Sequence, residues 1–469
     1  MTSAALAFVM GMAQAALSAA DTGRVAPDVV VTAPADGDLD TRFSWAERTA
    51  RERRFDAWWI GWTVTGDPTG ASWYYIDRHV PVGIGGGMIM GSIRLTGSMG
   101  NLNFRGVTLG TLTPPQDLHD TAILLRFTTV DGRTVIERVH AGSHAFPIFF
   151  NGGALLWLGR AEDGPSVQRL RMAFNDAVGD AVRRDLVSSV GAHRTAAAAA
   201  PALRAWLEND NLTASIRREA ADWLAHHPHA DATAALTRIA RADTSATVRS
   251  TAMRGLARVA APDVAVAELA RLARDDDNAR ARRDAVNALG TIRDQRAFRA
   301  LVDVIEQPVD SSRSSTRRDA MNSLLRQAAS TGAPQPQEII DLLVRIARND
   351  GDGSVRSAAV DALANLRDPR VTPILVDLAR NHADPRVMQR ATTGLGRAQP
   401  PEDAVRRLRD IAFDHPRNEV QTAAVRALVV VGTEDARRVL ADIAERHPRP
   451  ELRRSALQAV LDRRFRSMD

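Results

Sequence analysis

Apolar residues recur along the C-terminal two-thirds of the chain in a fixed frame. An anchor residue is followed by a small residue four places on and an apolar one eight places on, one stripe of a helix. The anchors are Val182, Ile216, Val248, Ala281, Thr316, Val355, Val387, Val420 and Leu452. At +4 stand Leu186 and then eight alanines, Ala220, Ala252, Ala285, Ala320, Ala359, Ala391, Ala424 and Ala456. The intervals between anchors are 34, 32, 33, 35, 39, 32, 33 and 32 residues, and the longest holds the turn-rich "ASTGAPQPQ" of 329–337. Between anchors runs a second stripe, as in Phe298, Leu301, Val302 and Ile305, or Val371, Ile374, Leu375 and Leu378. The tetrapeptide DPRV, at Asp368–Val371 and again at Asp384–Val387, marks two helix starts sixteen residues apart. Aspartate caps orphan N–H groups and proline suits the first turn. Each unit is therefore two helices in about 32 residues, too little core to stand alone unless neighbours stack.

"SVRSAAVDALANLRDPRVTPILVDL" (354–378) is the clearest unit. This pattern resembles the HEAT-repeat family in its short, phycobilin-lyase-like form, over about 166–469. The resemblance implies a mainly α chain, a right-handed α-solenoid of about nine two-helix repeats, and binding of other macromolecules rather than a shared active site. Some short-HEAT relatives are hydroxylases whose iron ligands are His-Glu pairs, and this chain has no His-Glu dipeptide.

The texture before residue 164 differs. An apolar run from Ala4 to Leu17 with small residues after it reads as a signal peptide over 1–20, although a basic leading region is missing. Residues 21–43, rich in Pro, Gly and Asp, read as a linker, and Ser44–Asp56 as a short helix. Residues 44–163 read as a small β-rich domain with that leading helix. It has one hairpin over 124–139 around Asp131-Gly132 and a second over 146–159 around Asn151-Gly152-Gly153. The solenoid takes 164–469, with Ser166 capping its first helix.

Composition then removes chemistry. There is no cysteine and no lysine, which excludes thiolate nucleophiles, disulfides, Walker A loops and Schiff-base enzymes. Arginine without lysine raises the isoelectric point while the net charge stays at +5, divided as +8 from residue 166 onward and −3 before it. That mild excess gives no reason to expect nucleic acid. "GIGGGMIMGS" (83–92) reads as a glycine-rich β connection, since neither the lysine nor the helix of a phosphate loop follows.

Three groups of side chains remain as candidates. The arginine after each anchor, including Arg217, Arg249, Arg282, Arg317 and Arg356, could form a basic ridge, or pair with acids such as Asp185, Asp284 or Asp319. The aromatics Trp58, Trp62, Trp73 and Tyr75 could form a ligand platform or the core of the β-rich domain. His119, Asp120, His140 and His144 are the polar constellation an enzyme or metal site would use, whereas "HHPH" (226–229) reads as a turn, and His382, His415 and His447, each five residues before an anchor, read as a ladder near helix ends. No catalytic residue, metal or cofactor is assigned.

These features favour an exported, non-catalytic scaffold that binds a protein through the solenoid. The alternatives are a histidine-containing enzyme or metal site in the β-rich domain, and an anionic polymer along the arginine ridge. Export predicts loss of about the first 15–20 residues. N-terminal sequencing of the native protein checks it, and an intact Met1 in the cytoplasmic fraction contradicts it.

Overall fold

The computed structural model describes residues 27–65, 73–84, 87–97, 103–104, 107–108, 120–143, 150, 153–227, 230–308, 310–331, 336–366 and 368–461, with backbone alone over 73–108. It is mostly helical, and its residues fall into two compact units, 1–260 and 261–469.

The first unit is built on a sheet. Its principal strands are β1 (Val29–Thr32), β2 (Ala57–Thr65), β3 (Trp73–Ile84), β4 (Gly87–Gly97), β7 (Asp120–Val130), β8 (Arg133–Ser143) and β9 (Ala154–Arg160), with the two-residue β5 (Asn103–Phe104) and β6 (Val107–Thr108) paired separately. Spatial order is β1-β9-β2-β7-β8-β3-β4. The expected hairpin at Asp131-Gly132 is β7–β8, and both turn residues have positive φ, at 51° and 73°. That backbone suits a tight hairpin between twisted strands. The expected glycine-rich connection joins the antiparallel β3 and β4.

Three expectations change here. Residues 29–32, expected in a linker, are a strand paired parallel to β9, with Val29 opposite Ala154. Of the second expected hairpin, the first arm and turn (146–149 and 151–152) lie outside the described residues, and the second arm, β9, pairs parallel with both β1 and β2. Gly153, at φ +92°, lets the chain enter β9 there, and its N–H is held by Asp28 Oδ2 at 2.8 Å. The first helix, α1 (Leu39–Glu52), starts five residues earlier than expected because Asp38 caps it, accepting the Thr41 N–H at 2.8 Å. Leu39, Phe43, Ala46 and Ala50 then face the core.

β2 is buried from Trp58 to Val64, so both its faces are covered. Trp62 meets Phe43 of α1 edge-on at 6.2 Å, and Trp58 stacks on Phe127 at 5.7 Å. Trp59, on the other face, packs with Leu124, Phe150, Leu155 and Trp157. Helix α2 (Asp163–Asp176) packs directly on β2 and β8, and α3 (Asp180–Gly191) on β8 and β3. Ser166 lies inside α2 rather than capping it. The helices from 163 to 260 thus share a compact unit with the sheet, across the expected boundary at 164. The unit continues with α4 (Ala196–Leu207), α5 (Ala214–Leu224), α6 (Ala230–Ala242) and α7 (Ala246–Val259).

The second unit is helical throughout its described residues: α8 (Pro262–Asp275), α9 (Ala279–Leu289), α10 (Gln295–Ile305), α11 (Ser314–Thr331), α12 (Pro336–Asn349), α13 (Gly353–Asn365), α14 (Val371–Asn381), α15 (Pro385–Leu395), α16 (Pro401–Asp414), α17 (Asn418–Val431), α18 (Glu434–Arg446) and α19 (Pro450–Val460). Every anchor lies in an odd-numbered helix from α3 to α19, here called A helices, and the second stripes lie in the even-numbered B helices. The two DPRV aspartates make the same bond, each accepting the N–H two residues on at 2.9 Å. Within this unit each A helix packs on the B helix before it and on the next A helix, as α13 does on α15 and α15 on α17.

The +4 residue is fully buried in all nine A helices, 0% exposed from Leu186 to Ala456. Ala391→Leu should therefore overpack the α13–α15–α17 row and cost about 1–3 kcal/mol. Leu378→Ala, at a position 2% exposed, should leave a cavity costing about 2–5 kcal/mol. The surface change Arg380→Ala should cost well under about 1 kcal/mol. Chemical denaturation followed by far-ultraviolet circular dichroism measures all three, and hydrogen exchange should show the loss of protection centred on 353–431.

Candidate functional site

The arginines after the anchors do not form an exposed ridge. Arg217, Arg282 and Arg317 are buried at 3–5% exposure, and Arg249 and Arg356 are half-buried. Each is turned toward the loop before its own helix. Arg249 donates to the Asp243 carbonyl and Arg282 to the Asp276 carbonyl, both at 2.8 Å, Arg356 to that of Asp350 at 2.6 Å and Arg453 to that of His447 at 3.1 Å. Every acceptor lies six residues back, at the end of the preceding B helix. Last-turn carbonyls have no intrahelical donor and carry partial negative charge, which a guanidinium satisfies well. After Val420, where the arginine is replaced, Gln421 makes the same bond, to the His415 carbonyl at 2.9 Å.

Arg217 and Arg317 pair with acids that sequence reasoning did not name. Arg217 reaches Asp210 and Asp243, each at 3.1 Å, and Arg317 holds both carboxylate oxygens of Asp350. Asp243 and Asp350 therefore lie between the guanidinium of the A helix that follows, on the main chain, and that of the A helix before, on the carboxylate. The Asp243 carboxylate also accepts the Ser245 N–H at 2.7 Å and that of Asp350 the Asp352 N–H at 2.9 Å.

The histidine ladder occupies this same frame position. His382, His415 and His447 stand where Asp243 and Asp350 stand in other repeats, and each Nδ1 accepts the N–H two residues on at 2.9–3.1 Å. His447 Nε2 faces the Ala412 carbonyl at 3.0 Å, which makes Nε2–H the donor there. The ladder is thus a set of turn-closing acceptors.

Trp58 and Trp62 are core residues, 4% and 0% exposed, and correct the platform expectation. The side chains of Trp73, Tyr75, His119 and His144 lie outside the described residues. Asp120 is 3.3 Å from Arg160, and His140 is fully buried on β8. Among the described residues, no group of three or more His, Asp or Glu side chains could hold a metal ion.

Sequence reasoning missed a buried polar chain. Trp62 Nε1 donates to Ser166 Oγ at 2.8 Å, and Ser166 Oγ is 2.8 Å from His193 Nε2. His193 Nδ1 lies 2.9 Å from the Ser189 carbonyl. The donors and acceptors close only with the proton on Nδ1, so that Ser166 gives its hydroxyl proton to Nε2. The serine–histidine pair has the contact of a nucleophile and base, yet Ser166 is 0% and His193 2% exposed. No substrate reaches it, and it ties α2 and α3 to β2. Burial holds the His193 imidazole below its usual range, against the opposing Asp163 and the carbonyls of Ser189 and Val190. Burial does the same to His227, which bonds the Gly191 carbonyl at 3.0 Å.

Sequence reasoning also passed over the polar side of the A helices. Four of them, α11, α13, α15 and α17, line one groove of about 800 Å³. Apart from Gly353, the lining residues occupy frame positions −1, +2, +3 and +6: Ser354, Ser357, Ala358 and Asp361 on α13, and Arg386, Gln389, Arg390 and Thr393 on α15. On α17 they are Glu419, Thr422, Ala423 and Arg426, while α11 contributes Arg318. The signal available in the sequence was this second stripe, offset by one residue from the buried one. Arg390 lies 3.3 Å from Asp361. Arg318, Arg386 and Arg426 are exposed and take part in no ion pair among the described residues. The B helices differ: Arg348–Asp377 at 2.8 Å, Arg380–Asp410 at 3.7 Å and Arg409–Asp442 at 3.5 Å link one to the next.

A family model described as HEAT repeats matches residues 233–322, 317–391 and 375–460. HEAT repeats are thus detected across residues 233–460. Human deoxyhypusine hydroxylase is similar at 18% identity, over 57% of this chain and 96% of that one, with a TM-score of 0.25. The CpcE–CpcF complex of phycocyanin lyase from Nostoc sp. PCC7120 is similar at 21% identity, over 35% and 99%, with a TM-score of 0.27. Importin beta is similar at 14% identity, over 64% and 44%, with a TM-score of 0.39. No curated protein matches the chain.

All eight tryptophans precede residue 261, so tryptophan fluorescence reads the first unit alone. Ser166→Ala should cost that unit about 1–3 kcal/mol by orphaning Trp62 Nε1 and His193 Nε2. Because burial depresses the histidines, the folded unit binds fewer protons than the unfolded chain. Their contribution is complete above the unfolded value of about 6.5 and is lost as pH falls through it. The fluorescence-detected melting temperature should fall between pH 7.5 and pH 5, and His193→Gln should lower it at pH 7.5 while flattening the dependence.

Proposed function

We propose that this protein is an exported, non-catalytic scaffold that holds a macromolecular partner along its A helices. HEAT-repeat solenoids are built for such interactions, since each repeat adds surface without closing a core around a small molecule. The observation that carries the choice of face is the groove on α11, α13, α15 and α17. Four consecutive A helices contribute to one surface there, and three of its arginines have no acidic partner among the described residues. On the B-helix side, three arginine–aspartate pairs run from one helix to the next. Export rests on the apolar N-terminal run alone.

A photo-reactive amino acid at Gln389 or Thr422 should give a specific adduct in the native cell, and the same group at Arg407, exposed on B helix α16, should not. Adducts in the exported fraction support the whole reading. Equal labelling from both faces, or labelling from Arg407 alone, overturns the assignment of the face.

A further inference from the structure

We propose that the groove takes an extended acidic segment of a polypeptide, with carboxylates on Arg318, Arg386, Arg390 and Arg426. The inference rests on the reading of this groove as the partner site and adds the chemistry of what enters it.

Charge is the first observation. The lining carries four arginines against Asp361 and Glu419, and only Arg390 is paired within it, with Asp361 at 3.3 Å. A guanidinium binds a carboxylate through a fork of parallel N–H donors, and these side chains end in solvent where such a group can reach them. The other lining residues are the second observation. Gly353, Ala358 and Ala423 leave room for a bare main chain between the arginines. Ser357 and Thr393 hydroxyls already donate to carbonyls of their own helices, Gly353 and Gln389, both at 2.9 Å. The Thr422 hydroxyl does so to Asn418, also at 2.9 Å. Their remaining capacity is to accept, which suits peptide N–H groups, and the Gln389 amide can both give and take.

Spacing narrows the segment further. Packed helices lie about 8–10 Å apart, and an extended chain advances about 3.3 Å per residue, so one helix step equals about three residues. Arg390 and Arg426 are one step apart, on α15 and α17, and Arg318 is two steps from α15. An acidic segment crossing the A helices should place carboxylates about six and then three residues apart.

The same observations disfavour a nucleic acid. Single strands are gripped by aromatic faces that stack on bases, and the lining has none. Asp361 and Glu419 would also oppose an unbroken row of phosphates.

The test uses the full-length protein and a labelled ten-residue peptide of Ser, Gly and Ala with Asp at positions 1, 7 and 10. Fluorescence anisotropy should show saturable binding, weakened at least tenfold when the three Asp are replaced by Asn. Arg386→Ala, Arg390→Ala and Arg426→Ala combined should weaken it by at least the same factor, with an unchanged circular dichroism spectrum and melting temperature. Moving the acids to positions 1, 3 and 5 should also weaken it. Equal binding of the Asp and Asn peptides overturns the proposal, as does full affinity in the triple variant, or no binding up to about 1 mM, the scale of the weakest specific contacts. Binding of oligothymidylate in place of the peptide overturns it in favour of nucleic acid. If adducts form from Gln389 in cells while the acidic peptide gains nothing over its Asn form, the face is right and the acidic occupant wrong. If the peptide binds and Gln389 yields no adduct, the groove recognises acids without being the partner site in the cell.

Discussion

A methyl group sets the spacing of the repeats. The +4 side chain of each A helix is fully enclosed, and in eight of nine cases it is alanine. A larger side chain would separate an A helix from its neighbours, and the contacts at 0 and +8 would open with it. Close approach recurs at Gly191, where a Cβ would come within 2.2–2.5 Å of the Trp223 ring, and at Gly394, where it would come within 2.9 Å of the Ala364 methyl. The repeat is a packing solution in which the smallest residues stand where helices touch.

That closeness creates a polar problem, and the arginines solve it. Short loops bring the ends of B helices, with unsatisfied carbonyls, against the starts of A helices. A guanidinium one residue past the anchor reaches back six residues and meets those carbonyls, while the aspartate there closes the turn. His382, His415 and His447 fill the aspartate's place. The arginine-rich frame is therefore mostly internal wiring, and in the groove positive charge becomes available where an A helix carries arginine at −1, +2, +3 or +6 without a nearby acid.

The helical architecture was legible because its signal is periodic and local: nine anchors, their small +4 residues and the DPRV turns each mark a feature within one helix. What failed were statements requiring knowledge of a distant partner. Asp28 and Val29–Thr32 look like linker because the strand they join lies beyond residue 150. Trp58 and Trp62 look equally suited to a platform or a core until α1 and α2 are seen to cover them. Arg217 looks like a surface residue because Asp243 is a repeat away. The groove was hidden differently: its stripe is visible in the sequence, but polar residues on a helix ordinarily mean no more than solvent, and only the alignment of four helices makes them a site.

The pairing of β1 with β9 has a bearing on the order of assembly. Val29 is made about 125 residues before its partner Ala154, a gap of roughly 6–25 seconds at ordinary translation rates of about 5–20 residues per second. During that interval a short valine-rich segment has no strand beside it. The helical pairs downstream close locally and wait for nothing so remote, since contacts between sequence neighbours form fastest. β1 must thus wait for β9, the last strand of the sheet in chain order, whereas each helical pair needs only its sequence neighbours.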